Sequence, residues 1–321
     1  MILNMQRTIL LLVLFSVLTL CACQPSPRSK EKKTAENETP VVVVVNYPLQ
    51  FIVESLVGPE YEVLNPVPPD ANPETWLPDD VMIQTIQQAD LIVTNGANFA
   101  DWVKKLSLPR SKVLRTSLSL KDALITVPDF EVHSHGTGGA HSHAGTVAFF
   151  WLDPALMARQ AEAIAQRLIE IDPQQKESIT ANLKKLKESL KSLGKKLDQL
   201  QAEFPGLHWF SERPVYQYLA QRCDWTMHHL HWKPGVVPTE HDWDKLKTIQ
   251  QEHKISFLVW EHQPKENRVK DLAEHGIASV VLDPLTGKPA QGDYVSEMQR
   301  QLEQLEQFLK QHQLESVKSK K

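Results

Sequence analysis

Five consecutive valines at positions 41–45, closed by Asn46, Tyr47 and Pro48, constrain this chain more than any other segment. A strand with one face in water alternates apolar and polar residues, whereas an unbroken β-branched run belongs to a strand buried on both faces. Both faces are covered only when helices flank the sheet, which means parallel strands joined by helical crossovers. The neighbouring sequence keeps that rhythm. Apolar positions at helical spacing over residues 49–57 predict a helix stopped by Gly58 and Pro59, and residues 61–64 return to strand character. After the turn-rich residues 65–78, a helix is expected over 79–88 and a strand over 91–94, closed by Asn95 and Gly96. In the second half, residues 255–260 and 278–282 are short β-branched runs that lead to Glu261 and Asp283. At 321 residues the chain is long enough for two such units. The expected fold is therefore α/β, with two parallel-sheet lobes at 41–154 and 205–312 and a basic tail at 313–321.

Between the lobes, residues 155–204 form a helical segment with hardly a β-branched run. Asp172-Pro173 divides a first helix from a long one that ends before Pro205. Ile179, Leu183, Leu186, Leu190, Leu193, Leu197 and Leu200 recur at three- and four-residue steps on one face, with lysines and acids on the other. About 30 residues at 1.5 Å each make a helix of about 45 Å, long enough to bridge two lobes. In open parallel sheets ligands bind beyond the carboxyl ends of the strands, and clefts between domains are favoured. Glu261, Asp283 and the loop after Leu64 are expected to face one another.

Lys and Arg number 35 against 39 Asp and Glu, a formal charge of −4, so nothing resembles the basic footprint that binds nucleic acid. Hydrophobic residues at 41% and charged ones at 23% are ordinary for a globular chain. Only residues 1–22 depart from this. Arg7 precedes an apolar stretch at 9–20 that is shorter than the roughly 20 residues of a membrane span, which reads as an export signal. It ends in Leu20-Cys21-Ala22-Cys23, which resembles the bacterial lipobox and implies a lipid on Cys23, with residues 23–40 as a disordered tether. The expected location is the cell envelope, lipid-anchored on the extracytoplasmic side, periplasmic in a Gram-negative cell. An ordinary secretory signal or an uncleaved anchor would also place the protein outside the cytoplasm. Cys223 would then be the one free cysteine, which excludes an intramolecular disulfide and a Cys-rich zinc site and suits a small packed side chain.

The densest set of ligand-type side chains is His133, His135, His141 and His143, separated by glycines. Such a loop suits zinc or another borderline divalent ion, although ordering it on binding weakens capture. The bland reading is a solvated loop with incidental histidines. His228, His229 and His231 form a second group in a strand or its exit, read as hydrogen-bonded imidazoles near the cleft, while His241 and His262 stand isolated at the surface or in support. Neither Gly-x-Ser-x-Gly nor His-Glu-x-x-His occurs, so no enzyme is expected; a zinc hydrolase would need an open coordination position and a general base.

Five motifs then occur in order: Val-Pro-Pro-Asp-Ala-Asn-Pro-Glu-Thr-Trp-Leu-Pro at 67–78, Ala-Asp-Leu-Ile-Val-Thr-Asn-Gly at 89–96, the His-rich loop at 133–143, Trp-Leu-Asp-Pro at 151–154 and Val-Leu-Asp-Pro-Leu at 281–285. Together, over residues 41–312, the chain resembles the zinc or manganese substrate-binding proteins of ABC importers. The resemblance implies two α/β lobes joined by one long backbone helix, with a single Zn2+ (alternatively Mn2+) in the interlobe cleft. It implies an ABC permease and its ATPase as partners of a monomer, alongside the lipid bilayer reached through Cys23.

The family pattern has a histidine where this chain has Glu74, another at Phe149, a histidine or glutamate at Arg213, beside Glu212, and an aspartate at Asp283. A carboxylate ligates zinc or manganese, but a phenyl ring cannot and a guanidinium has no acceptor. Two outcomes follow. Either the ion is held by Asp283 and Glu74, with Glu212 or Glu261 and histidines lent by the loop, or Arg213 pairs with the acids. In the second case the cleft takes a chelated or anionic ligand, or the His-rich loop serves as a metal buffer. Trp76, Trp151 and Trp232 are expected to pack the cleft wall, and Asp153 to cap the helix that follows it.

Overall fold

The valine run forms β1 (Val41–Val44), with Val42, Val43 and Val44 buried. Asn46 turns the chain into α1 (Tyr47–Leu56): its Oδ1 accepts from Leu49 N at 3.0 Å, and Pro48 occupies the first turn, where a missing N–H costs nothing. β2 (Glu62–Leu64) follows. α2 (Asp80–Gln88) is capped by Asp79, which accepts from Met82 N at 2.8 Å, and leads to β3 (Leu91–Thr94) and β4 (Val113–Arg115). These strands form a parallel sheet in the order β2-β1-β3-β4. Next comes an antiparallel hairpin, β5 (Thr126–Ser134) and β6 (Ala140–Thr146), with His133 opposite His141 and Glu131 opposite His143 in register.

The computed structural model describes residues 39–134, 140–230, 232 and 237–318, with the backbone alone at 128–134, 140–144 and 313–318. The export signal, Cys23, most of the tether, His135, His231 and the last three residues of the basic tail lie outside the described residues.

α3 (Pro154–Ile171) begins at Asp153, whose Oδ1 accepts from Ala155 N at 2.8 Å, as the sequence implied. α4 (Lys176–Glu203) is the long helix of 28 residues, and its leucine stripe is buried apart from the half-buried Leu183. The second half contains β7 (His208–Ser211), α5 (Gln217–Arg222), β8 (Thr226–His229), α6 (Glu240–His253), β9 (Phe257–Trp260), α7 (Glu266–Glu274), β10 (Ala278–Val281) and α8 (Tyr294–Lys318). Its parallel sheet runs β10-β9-β7-β8. Both sheets therefore wind alike: the second strand lies at one edge, then come the first, third and fourth.

α4 does not bridge the lobes alone. α8 runs beside it, joined by ion pairs from Lys196 to Glu306 at 2.5 Å and from Lys310 to Glu203 at 3.2 Å. One apolar cluster continues from β1 and β3 through α3 and α4 to Trp209, Phe257 and Val259 of the second sheet and to Leu302 of α8. A smaller one covers the other face of that sheet, with Phe210, Leu246, Leu258 and Trp260. Two lobes that share a core resist wide opening. Among the described residues, no helix is long and apolar enough to cross a membrane.

Candidate metal-binding cleft

The carboxyl ends of the second sheet deliver its charged residues to one place. β7 ends at Ser211 and hands on Glu212 and Arg213, β9 hands on Glu261 and His262, and Asp283 follows β10. The loop after β2 brings Glu74 from the first lobe, its backbone held by the Asn72 carboxamide, which accepts from Glu74 N at 2.9 Å. These residues line a cleft of about 1410 Å³ together with Trp260, Arg268 and Leu285. The second sheet's side is stitched across to the first lobe. Trp151 Nε1 donates to Pro284 O at 2.7 Å, Tyr47 N donates to Thr286 O at 3.0 Å, and Tyr294 Oη donates to Trp151 O at 2.7 Å. Asp283 is fixed on both sides. Its Oδ1 accepts from Leu285 N at 2.7 Å, which supports the left-handed φ of 57° at Leu285, and its N donates to Gln301 Oε1 at 2.5 Å.

Arg213 fills the middle. Its Nε donates to Glu261 Oε1 at 2.8 Å and its Nη2 to Glu261 Oε2 at 2.5 Å, a two-pronged pair. Nη2 also reaches Glu74 Oε1 at 3.0 Å, and Nη1 reaches Glu74 Oε2 at 3.4 Å. One guanidinium thus ties a carboxylate of one lobe to a carboxylate of the other. Burial by itself would lower the Arg213 pKa, but the hydrogen bonds and charges of Glu261 and Glu74 prevail and hold it above the usual value. The buried ring of Phe149 lies with its centroid 6.0 Å from Arg213 Cζ, within cation–π reach. The two positions that depart most from the family pattern therefore meet in space. Arg213 pairs with the acids, and Glu74 and Glu261 face a cation that the chain itself supplies.

Three other groups are left to the cleft. Burial, reinforced by the charge of Glu261 and partly offset by Arg268, Arg213 and His262, pushes the Glu212 carboxyl up to about 6. His262 Nδ1 stands 3.7 Å from Asp283 Oδ2. The Asp283 carboxylate raises the imidazole above its ordinary pKa against the effect of burial. With Glu212 ionised, the six carboxylates of the cleft lining, Asp70, Glu74, Glu212, Glu261, Asp283 and Glu297, outnumber its five cations, Arg213, Lys265, Arg268, Lys288 and Arg300, and leave a net charge of −1, a weakly attractive field for a dication. These donors are not preassembled, since among the described residues no three of them bring ligand atoms within 4.8 Å of one another.

His262, which isolation in the sequence assigned to the surface or a supporting role, is exposed and stands beside Asp283 in the cleft lining. The signal for it was its place directly after Glu261 at a strand end. His228 is a correction in the other direction: it packs against His208 and His253, at the sheet edge away from the cleft. His241 is exposed on α6. His133, His141 and His143 are placed by backbone in β5 and β6. The tryptophan expectation also changes. Trp151 is fully buried, Trp76 packs edge-on against Trp102, Trp232 packs against Trp243, and Trp260 lines the cleft instead. Cys223 is buried, with its thiol pushed up to about 12 by burial, as a packed side chain should be.

A family model described as zinc-uptake complex component A, periplasmic, matches residues 42–308. The high-affinity zinc uptake system protein ZnuA of Bacillus subtilis is 24% identical over 281 residues, 86% of this chain and 88% of that protein. The metal ABC transporter substrate-binding lipoprotein ScbA of Streptococcus cristatus is 26% identical over 318 residues, 94% and 97% of the two chains. Among solved structures, the metal-dependent lipoprotein YcdH from Bacillus subtilis superimposes with a TM-score of 0.70 at 22% identity, covering 83% of this chain and 97% of its own. The Zn(II)-bound ZnuA-like domain of Streptococcus pneumoniae AdcA gives 0.69 at 20% identity, covering 84% and 98%.

Proposed function

The chain belongs to the family of periplasmic zinc-uptake complex component A proteins, and from that membership we propose that it captures zinc outside the cytoplasm and hands it to an ABC permease. The family consists of substrate-binding proteins of ABC transporters and not of enzymes, and its named relatives carry zinc, manganese and lipoprotein in their descriptions. A permease and an ATPase are the partners that membership implies. Attachment through a lipid on Cys23, a monomeric state and the choice of zinc over manganese are parts of the proposal.

The observation that carries this reading is the convergence of Glu212, His262 and Asp283 beyond the strand ends, in a cleft whose acids outnumber its cations. A borderline divalent ion accepts such a mixed oxygen and nitrogen set. Arg213 then acts as the resident cation of the empty cleft. An arriving ion repels the guanidinium by about 4 kcal/mol per unit charge at about 4 Å with an effective dielectric near 20, so loading displaces Arg213 and frees Glu261 and Glu74 to complete the shell. Because both lobes share one core, this exchange is local, a movement of side chains and loops in place of wide domain closure.

A second reading is favoured by the pairing of Arg213 with Phe149. Here the guanidinium is permanent, the cleft accepts a chelated or anionic ligand, and free metal is buffered by the His-rich loop. Calorimetric titration of the full chain with Zn2+ and with Mn2+ separates the two. The first reading expects the tightest binding event to be lost in Asp283→Asn and kept when His133, His135, His141 and His143 are replaced by serine, whatever weaker sites remain; the opposite pattern overturns it.

A further inference from the structure

Three histidines far apart in the sequence converge at the edge of the second sheet away from the cleft. His208 opens β7, whose other end delivers Glu212 and Arg213, and the group lies on the side of β7 opposite β9 and β10, which deliver Glu261, His262 and Asp283. His228 lies in β8, the edge strand beside β7, and His253 is the last residue of α6. His208 Nδ1 and His228 Nε2 are 3.1 Å apart. The His253 ring stacks on His208, with centroids 5.1 Å apart, and lies tilted against His228, with centroids 4.4 Å apart. Each residue offers one nitrogen, and the three lie within 4.8 Å of one another, the only such group among the described residues.

Tetrahedral zinc with bonds of about 2.0–2.1 Å places its nitrogen donors about 3.3–3.4 Å apart. One pair already stands near that distance, and the third needs at most about 1.5 Å of movement, within reach of small side-chain rotations at a half-buried site. The surroundings favour a cation. The site sits at the carboxyl end of α6, where the helix dipole is negative, and the Glu252 carboxylate lies 3.9 Å from His253 Nε2. Burial first, then the neighbouring His253 and His208, push the His228 imidazole down to about 4, so this ring is in the neutral, ligating form at neutral pH.

We infer that His208, His228 and His253 form a second metal site, which takes a borderline divalent ion of the zinc class through three imidazole nitrogens and leaves a fourth position open to water. Loading links β7, β8 and α6 and stabilises the second lobe. The site shares no ligand with the cleft or the His-rich loop, so it holds or fails independently of the proposed function.

The test starts from a full chain with Asp283→Asn and with His133, His135, His141 and His143 replaced by serine. After equilibrium dialysis against Zn2+, this protein is expected to retain one ion per chain, and His228→Ala or His253→Gln to reduce it to none. Co2+ is expected to give the visible absorption of a four-coordinate site, and the same substitutions to abolish it. Circular dichroism establishes that the variants are folded. Should either variant fail to fold, the unsubstituted chain decides: Zn2+ is expected to move the imidazole resonances of His208, His228 and His253 together. Unchanged stoichiometry in folded variants, or three resonances indifferent to Zn2+, overturns the site.

Discussion

The guanidinium carbon of Arg213 lies 6.0 Å from the ring centroid of Phe149. A histidine at either position would offer a nitrogen to a metal ion; a phenylalanine and an arginine offer each other a ring face and a charge. Glu261 and Glu74 complete the arrangement by accepting from the same guanidinium. Two of the cleft's carboxylates are therefore already paired within the chain, and its affinity for a cation depends on how readily Arg213 gives way.

Arg213→Gln should destabilise the metal-free protein and increase its response to zinc. The substitution strips a 7% exposed carboxylate, Glu261, of its two-pronged partner. Breaking a fully buried pair costs about 3–5 kcal/mol, and because the Arg213 side chain is 32% exposed, solvent screening reduces this to roughly 2–3 kcal/mol. Thermal unfolding with and without Zn2+ measures both effects. A variant that loses stability and gains nothing from zinc would favour the permanent-guanidinium reading.

Glu212→Gln should flatten part of the pH dependence of stability. The folded carboxyl titrates at about 6 against an ordinary 4.5, so the fold favours its neutral form. The benefit is full below pH 4.5 and is lost as the pH rises through about 6. His262, raised by Asp283, acts in the same direction: its contribution is present below 6.5 and is lost as the pH rises through its folded value. Denaturant unfolding at pH 4.5 and 7.5 should show the wild type losing more stability than Glu212→Gln between the two. Zinc affinity should run the other way and rise with pH over this window, because ligation requires the ionised carboxylate and the neutral imidazole.

Asp283→Asn is the cleanest probe of the cleft. The carboxamide oxygen can still accept from Leu285 N and keep the turn in place, while the anionic ligand and the partner of His262 are gone. Zinc affinity should fall tenfold or more with little change in unfolding temperature, and the pKa of His262, followed by NMR, should drop. Unchanged affinity would move capture out of the cleft.

Leu190→Ala should cost about 2–5 kcal/mol, the range for truncating a buried leucine in a packed core. Leu190 is buried in the stripe by which α4 joins the shared core. Because that core serves both lobes, a single cooperative transition at lower denaturant is expected, and two separate transitions would show that the lobes unfold independently.

Much of the fold was legible because the forces that write it are local. The valine run, the cap Asp153, the leucine stripe of α4 and the acids at strand ends depend on neighbours a few residues away, so spacing and residue type suffice to find them. Strand-end position also found Glu261 and Asp283, and would have found His262 had it been applied to the next residue; Glu212 came from the family resemblance alone.

What only the tertiary structure decided are the partnerships. No spacing says that Arg213 meets Phe149 across 64 positions, or Glu74 across 139, nor that His208, His228 and His253 face one another at a sheet edge. The sequence by itself determined which side chains carry charge and which ends of which strands present them. The winding of two sheets onto one core decided which charges are neutralised within the chain and which are left for a ligand, because Coulombic and hydrogen-bond energies depend on distances of a few ångströms that long-range packing alone sets.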